Sequence, residues 1–147
     1  MRVKSIPLIL LTVMTFGCGV SPSPIDYGKD NCDFCKMTIM DKRFAAALVT
    51  SRGKTFKFDS VECLAEFHES ETIKRDNIKV LLVDQFDSPG TMINAAGAFY
   101  LRSPNLRSPM GFNAAAFSVK SAAENARADY AGDVISWEQV LHLAPAR

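Results

Sequence analysis

Two stretches of this 147-residue chain run through the same order of hydrophobic patterns at the same length. In the first, FAAALVTS (44–51) is a β-type run and Arg52-Gly53 marks a turn. KTFKFDS (54–60) then alternates, with Phe56 and Phe58 on one face and Thr55 and Lys57 on the other. SVECLAEFHES places Val61, Leu64, Ala65 and Phe67 at helical spacing behind Asp59 or Ser60 as N-cap, and IKVLLVDQF (78–86) reads as a buried strand. In the second stretch, AGAFYLRS (96–103) and NAAAFSVK (113–120) are strands. SAAENARADYAG (121–132) is a helix with Ser121 as N-cap and Gly132 at its end, DVISW is a third strand, and EQVLHL is a short closing helix. Phe44 to Val80 and Ala98 to Val134 each span 36 residues. The pattern predicts an α+β fold of two similar β-β-α-β units, over 31–92 and 93–147. Neither carries enough apolar residues for a large core of its own, so the two are expected to pack together.

What precedes the repeat predicts an export signal and a tether. Arg2 and Lys4 form a short basic start, and an apolar run follows from Ile6 to about Phe16. That run is shorter than the ~20 residues a membrane span needs, and it suits the apolar region of a secretory signal. It stops at TFGC (15–18), so residues 1–17 read as a lipoprotein signal peptide and Cys18 as the lipidated first residue of the mature chain. GVSPSPIDYG (19–28) is Pro- and Ser-rich without hydrophobic periodicity, which predicts a flexible tether over 18–30. Removing residues 1–17 takes Arg2 and Lys4 away and leaves 15 basic against 16 acidic residues. No basic stripe points to nucleic acid as a partner. The expected location is the periplasmic face of a bacterial membrane, reached through the lipid anchor. Gly19 after the lipid cysteine favours the outer membrane.

The remaining three cysteines, Cys32, Cys35 and Cys63, would then face an oxidising compartment in an odd number. NCDFCKMTIMDKRF (31–44) sets Cys32 and Cys35 in C-x-x-C spacing with Met37 two residues on. A structural zinc site usually draws four ligands from two short-spaced pairs, and a second pair is missing. A redox C-x-x-C opens a helix after a strand, whereas this one leads into a hairpin. Cu(I) is soft and favours thiolate and thioether donors. In an extended segment Cys35 and Met37 would point to the same side, with Cys32 within reach of a turn at Asp33-Phe34. Met110, on the turn SPMG, is the best further donor. Met40 reads as apolar packing, and Cys63 as a buried thiol with the option of approaching Cys32 or Cys35.

The order CDFCKMTI (32–39), FAA (44–46), FDSVEC (58–63), SPMG (108–111) and VISW (134–137) resembles the NosL family. The likeness covers most of residues 30–140. It implies a paired β-β-α-β fold, an arrangement shared with the organomercurial lyase. It also implies a non-enzymatic Cu(I) metallochaperone serving the maturation of nitrous oxide reductase, in which Cu(I) passes to an acceptor by stepwise ligand exchange. By the same resemblance Cys35 and Met37 match the thiolate and thioether positions with Cys32 beside them, and Met110 matches the methionine of the second-half loop. Asp59 and Cys63 match the FD-x-x-x-C pattern and are read as supporting the site rather than binding metal. Cys32 is left as ligand, disulfide partner of Cys35, or bystander. A thiol-based lyase and a thiol–disulfide exchange protein stand as the alternatives.

Overall fold

The computed structural model describes residues 21–144, so the expected signal peptide and Cys18 lie outside the described residues. The elements are β1 (Ala46–Thr50), β2 (Thr55–Phe58), α1 (Val61–Glu69), β3 (Ile78–Asp84), β4 (Met92–Asn94), β5 (Phe99–Arg102), β6 (Ala114–Phe117), α2 (Lys120–Tyr130), β7 (Asp133–Ile135) and α3 (Trp137–Leu143). They form two antiparallel sheets, ordered β2-β1-β3-β4 and β6-β5-β7. In each, the first strand of the unit is central, its hairpin partner lies on one side, and the strand after the helix lies on the other. The expected repeat is therefore present in topology as well as in order, and the fold is α+β.

Local sequence explains the elements that frame the site. Phe56 and Phe58 of β2 are buried while Thr55 and Lys57 are half-buried, as the alternation requires. Both rings meet Phe67 of α1, with centroids 5.0 and 5.1 Å apart, each pair worth about 0.5–1.5 kcal/mol beyond burial. Ser60 caps α1 by accepting from the Cys63 amide, so the cap comes from Ser60 and leaves the Asp59 carboxylate available to the site.

The two units share one core. Phe58, Leu64 and Val83 of the first cluster with Tyr100, Ile135 and Trp137 of the second. The end of β3 also reaches the second sheet, where Gln85 bridges to Ala116 and the Phe86 amide donates to the Ala116 carbonyl at 2.9 Å. A smaller core beneath α2 gathers Leu101, Ala115, Phe117 and Ala123 with Phe44.

Three expectations are corrected. VISW is not all strand: β7 stops at Ile135, and Ser136 forms a capping box with Gln139, so Trp137 opens α3 and buries its ring beside Tyr100. Ser121 does not cap α2. The N-cap position lies two residues earlier, at Val119, whose carbonyl takes the amides of Ala122 and Ala123 without any side-chain cap. The tether expected over 18–30 is bound to the first sheet from Ser23 onward. The Ser23 amide donates to Thr55 Oγ1 at 3.0 Å, Lys57 Nζ to the Pro24 carbonyl at 2.7 Å, and the Tyr27 hydroxyl to Asp84 Oδ2 at 2.8 Å.

Candidate metal centre

The C-x-x-C segment is a closed turn, not the extended run considered from sequence. Asn31 and Thr38 pair across it, the Cys32 amide donates to the Met37 carbonyl at 2.8 Å, and the Lys36 amide donates to the Cys32 carbonyl at 3.0 Å. Closing so short a loop puts Lys36 in the left-handed region, at φ 66. Asp33 then staples the turn to β2: its amide donates to the Lys57 carbonyl, and its carboxylate accepts from the Lys57 amide, both at 2.8 Å. The result grades the sulfurs by depth. Cys32 is fully buried, Cys35 is half-buried, and Met37 is 51% exposed.

Beneath the turn lies the start of α1. Asp59 and Cys63 are both buried there, four residues apart across the Ser60 cap. The Sγ atoms of Cys32, Cys35 and Cys63 and a carboxylate oxygen of Asp59 all lie within 4.8 Å of one another. All three cysteines are free thiols, so the Cys32–Cys35 disulfide left open from sequence is not formed.

The charge on this cluster is shared unequally. The Cys63 thiol donates to Cys32, and the amides of Asp59, Cys35 and Phe34 also point at the Cys32 sulfur. Together they bring its pKa down to about 6 against the opposing effect of burial. Burial first, then the hydrogen bond to Cys32 and the charges of Cys32 and Asp59, push the Cys35 thiol up to about 11. Cys63 is also pushed up, first by donating to Cys32 and then by burial. The three thiols are thus coupled, with Cys32 pushed toward the thiolate and Cys35 and Cys63 held toward the thiol. Cys35 also donates weakly to Asp59 Oδ1, at 3.6 Å.

Met110 arrives from the second unit. Its turn is closed by the Gly111 amide donating to the Ser108 carbonyl at 3.2 Å, with Gly111 at φ 84. Glu62, fully buried on α1 next to Cys63, holds that loop by both ends. Its Oε1 accepts from Ser108 Oγ at 3.0 Å and from the Phe112 amide at 3.1 Å. Met110 is half-buried and packs against the same hydrophobic cluster that contains Cys32 and Cys63 and that Cys35 lies against. Sequence reasoning passed over Glu62, although a glutamate on the apolar side of a helix is itself a signal, because buried carboxylates need partners.

The NosL family model matches residues 24–143 of the chain. The chain belongs to the NosL family. Its fold is similar to the crystal structure of the copper chaperone NosL from Shewanella denitrificans, at TM-score 0.69 and 22% identity, over 82% of this chain and 96% of that one. No curated protein matches the chain.

Within this NosL-family fold the expected site residues divide into two groups. Cys32, Cys35, Asp59 and Cys63 converge on one point. Met37 and Met110 lie outside that group of four. Met37 comes through the turn that holds Cys35, its amide directed at the Cys35 sulfur, and Met110 comes through the loop fixed by Glu62. Cys63, expected as a supporting thiol, has its sulfur inside the cluster. Met40, expected in the core, is 69% exposed.

Proposed function

We propose that the chain is a copper chaperone that holds Cu(I) at the Cys32, Cys35 and Cys63 cluster, with Met37 and Met110 as thioether donors, and releases it by ligand exchange. The observation that carries this reading is the convergence of three free thiols, Cys32, Cys35 and Cys63, on one point. Thiolate and thioether donors of this kind suit a soft, low-coordinate ion. The graded depth suits transfer. An incoming donor replaces Met37 first and Cys35 next, while Cys32 and Cys63 hold the ion from below. The acceptor we assign, from the family resemblance, is the copper centre of nitrous oxide reductase or its maturation machinery. The place of action is the periplasmic face of a membrane, with the chain anchored through lipid on Cys18.

The two alternatives have less support. Thiol–disulfide exchange needs an accessible thiolate, and Cys32 is fully buried. A lyase on the lines considered from sequence needs cysteines from both units, whereas Cys32, Cys35 and Cys63 all belong to the first. An anaerobic Cu(I) competition titration tests the proposal. One Cu(I) per chain is expected, with Cys35→Ser, Met37→Ala and Met110→Ala each weakening binding by about tenfold or more. Full retention of affinity in all three variants sinks the site.

A further inference from the structure

The first sheet gathers exposed positive charge at one end. The turn between β1 and β2 holds Arg52 and Lys54. The turn before β3 is bound to it: the Ser51 amide donates to the Asn77 carbonyl, and the Asn77 amide to the Lys74 carbonyl, both at 2.8 Å. Lys74 and Lys79, the second residue of β3, therefore come to the same end. All four are exposed, and none forms an ion pair among the described residues. Glu69 and Glu71, at the end of α1, are engaged by Arg75, at 3.1 and 3.8 Å, and Asp76 is the further acid in this turn.

The N-terminal part of the chain arrives at this same end. The Ser23 amide donates to Thr55 Oγ1, and Thr55 follows Lys54 directly. Five residues lead from Cys18 to Ser23, so Cys18 lies at most about 18 Å from Ser23. We propose that Arg52, Lys54, Lys74 and Lys79 dock this end of the first sheet on anionic phospholipid and so orient the chain on its membrane. The proposal rests on the reading of Cys18 as the lipidated residue. Basic residues are drawn to anionic headgroups, but the attraction falls off within a Debye length, about 10 Å at 0.1 M salt. A connection this short holds the four charges where that attraction acts.

The lipid then supplies attachment, and the charges supply direction. The sulfur cluster lies at the other end of β2, where the strand leads through Asp59 into α1 and Asp33 holds the C-x-x-C turn to Lys57. At about 3.3 Å per strand residue, Lys54 and Asp59 are about 16 Å apart. Docking by the basic end thus turns Cys35 and Met37 away from the bilayer, open to an incoming protein.

Lysine acetylation, followed residue by residue by mass spectrometry, reads the docked face. The lipidated protein is bound to vesicles of phosphatidylcholine alone, or with about one third phosphatidylglycerol. On the anionic vesicles Lys54, Lys74 and Lys79 should react several-fold more slowly than on the neutral ones, while Lys36 and Lys120, exposed elsewhere, react equally on both. About 0.5 M salt should abolish the difference. Arg52→Glu, which reverses one charge and removes no reporting lysine, should reduce it. If that variant does not fold, the salt series on the wild type decides. Equal rates on the two kinds of vesicle, or equal slowing of all five lysines, overturn the proposal. Equal rates with the lipid present, judged by intact mass, remove this inference and leave the anchor reading standing. A chain without lipid on Cys18 overturns both.

Discussion

Glu62 ties the Met110 loop of the second unit to the helix that carries Cys63. It is fully buried, and it spends one oxygen on two donors from the opposite unit while Oε2 has no partner among the described residues. Replacing it with alanine strands the Ser108 hydroxyl and the Phe112 amide in a dry interior. The expected loss is about 2–6 kcal/mol of stability, since each of the two stranded donors costs about 1–3. The Glu62→Gln variant keeps one oxygen that can still accept from both donors, so its loss should be smaller. Both variants should also weaken Cu(I) binding, because they free the loop that carries Met110. Urea denaturation with the Cu(I) titration checks both. A destabilised Glu62→Ala with intact Cu(I) affinity would remove Met110 from the site. The C-x-x-C spacing was legible from sequence as a pair, and its two sulfurs do fall in one cluster. The role of Cys63 was not legible, because helical spacing alone puts it next to Leu64 and says nothing of which buried neighbour its sulfur meets. Only the docking of the 31–38 turn on β2, through Asp33 and Lys57, brings Cys32 down onto α1.

At the scale of elements, strands with clean alternation and a helix with a hydroxyl cap were legible, and β1, β2 and α1 follow the expected pattern. The errors fall where a helix cap or a tertiary contact overrides the apparent local pattern. Ser136 outranks the strand propensity of VISW because its capping box satisfies two helix-end amides at once. A Pro- and Ser-rich stretch looks like a tether by composition, yet Tyr27 within it reaches Asp84 at the end of β3. That contact carries a pH prediction. Burial raises the Asp84 pKa in the folded chain, against the opposing hydrogen bonds from Tyr27 and the Gly90 amide and the charge of Lys42. The folded state therefore binds the proton more tightly than the unfolded state does. Asp84 costs nothing below the ordinary carboxylate value and becomes a liability as pH rises through the raised one. Asp84→Asn should thus gain on the wild type across that window, whatever its stability at low pH. Melting temperatures of both proteins over a pH series test this. A difference that stays constant, or that shifts toward the wild type as pH rises, contradicts it.

Across the whole molecule the decisive fact is that the two units share one core, with the cysteine cluster in the first unit and the Met110 loop of the second tied by Glu62 to the helix that carries Cys63. The sequence repeat foresaw two similar units too poor in apolar residues to stand alone. It did not identify what fastens them, because Trp137 sits in a segment that reads locally as strand. In the structure its ring lies 6.2 Å from Tyr100 of β5 and 6.4 Å from His68 of α1, so one side chain packs against both units. Tyr100, fully buried, is fixed in turn by donating to the Ala95 carbonyl at 2.7 Å. Truncating Trp137 to alanine should cost about 3–5 kcal/mol, the usual range for a buried large aromatic. If the units form one cooperative structure, that loss is felt equally in both. Native-state hydrogen exchange should then show the amides of β1 and β5 losing protection by the same amount, with a single unfolding transition retained. Selective loss in β5 alone would mean that the second unit opens independently. Met110 would then leave the centre with it, and copper release would not need the stepwise ligand exchange that the graded depth of the sulfurs otherwise provides.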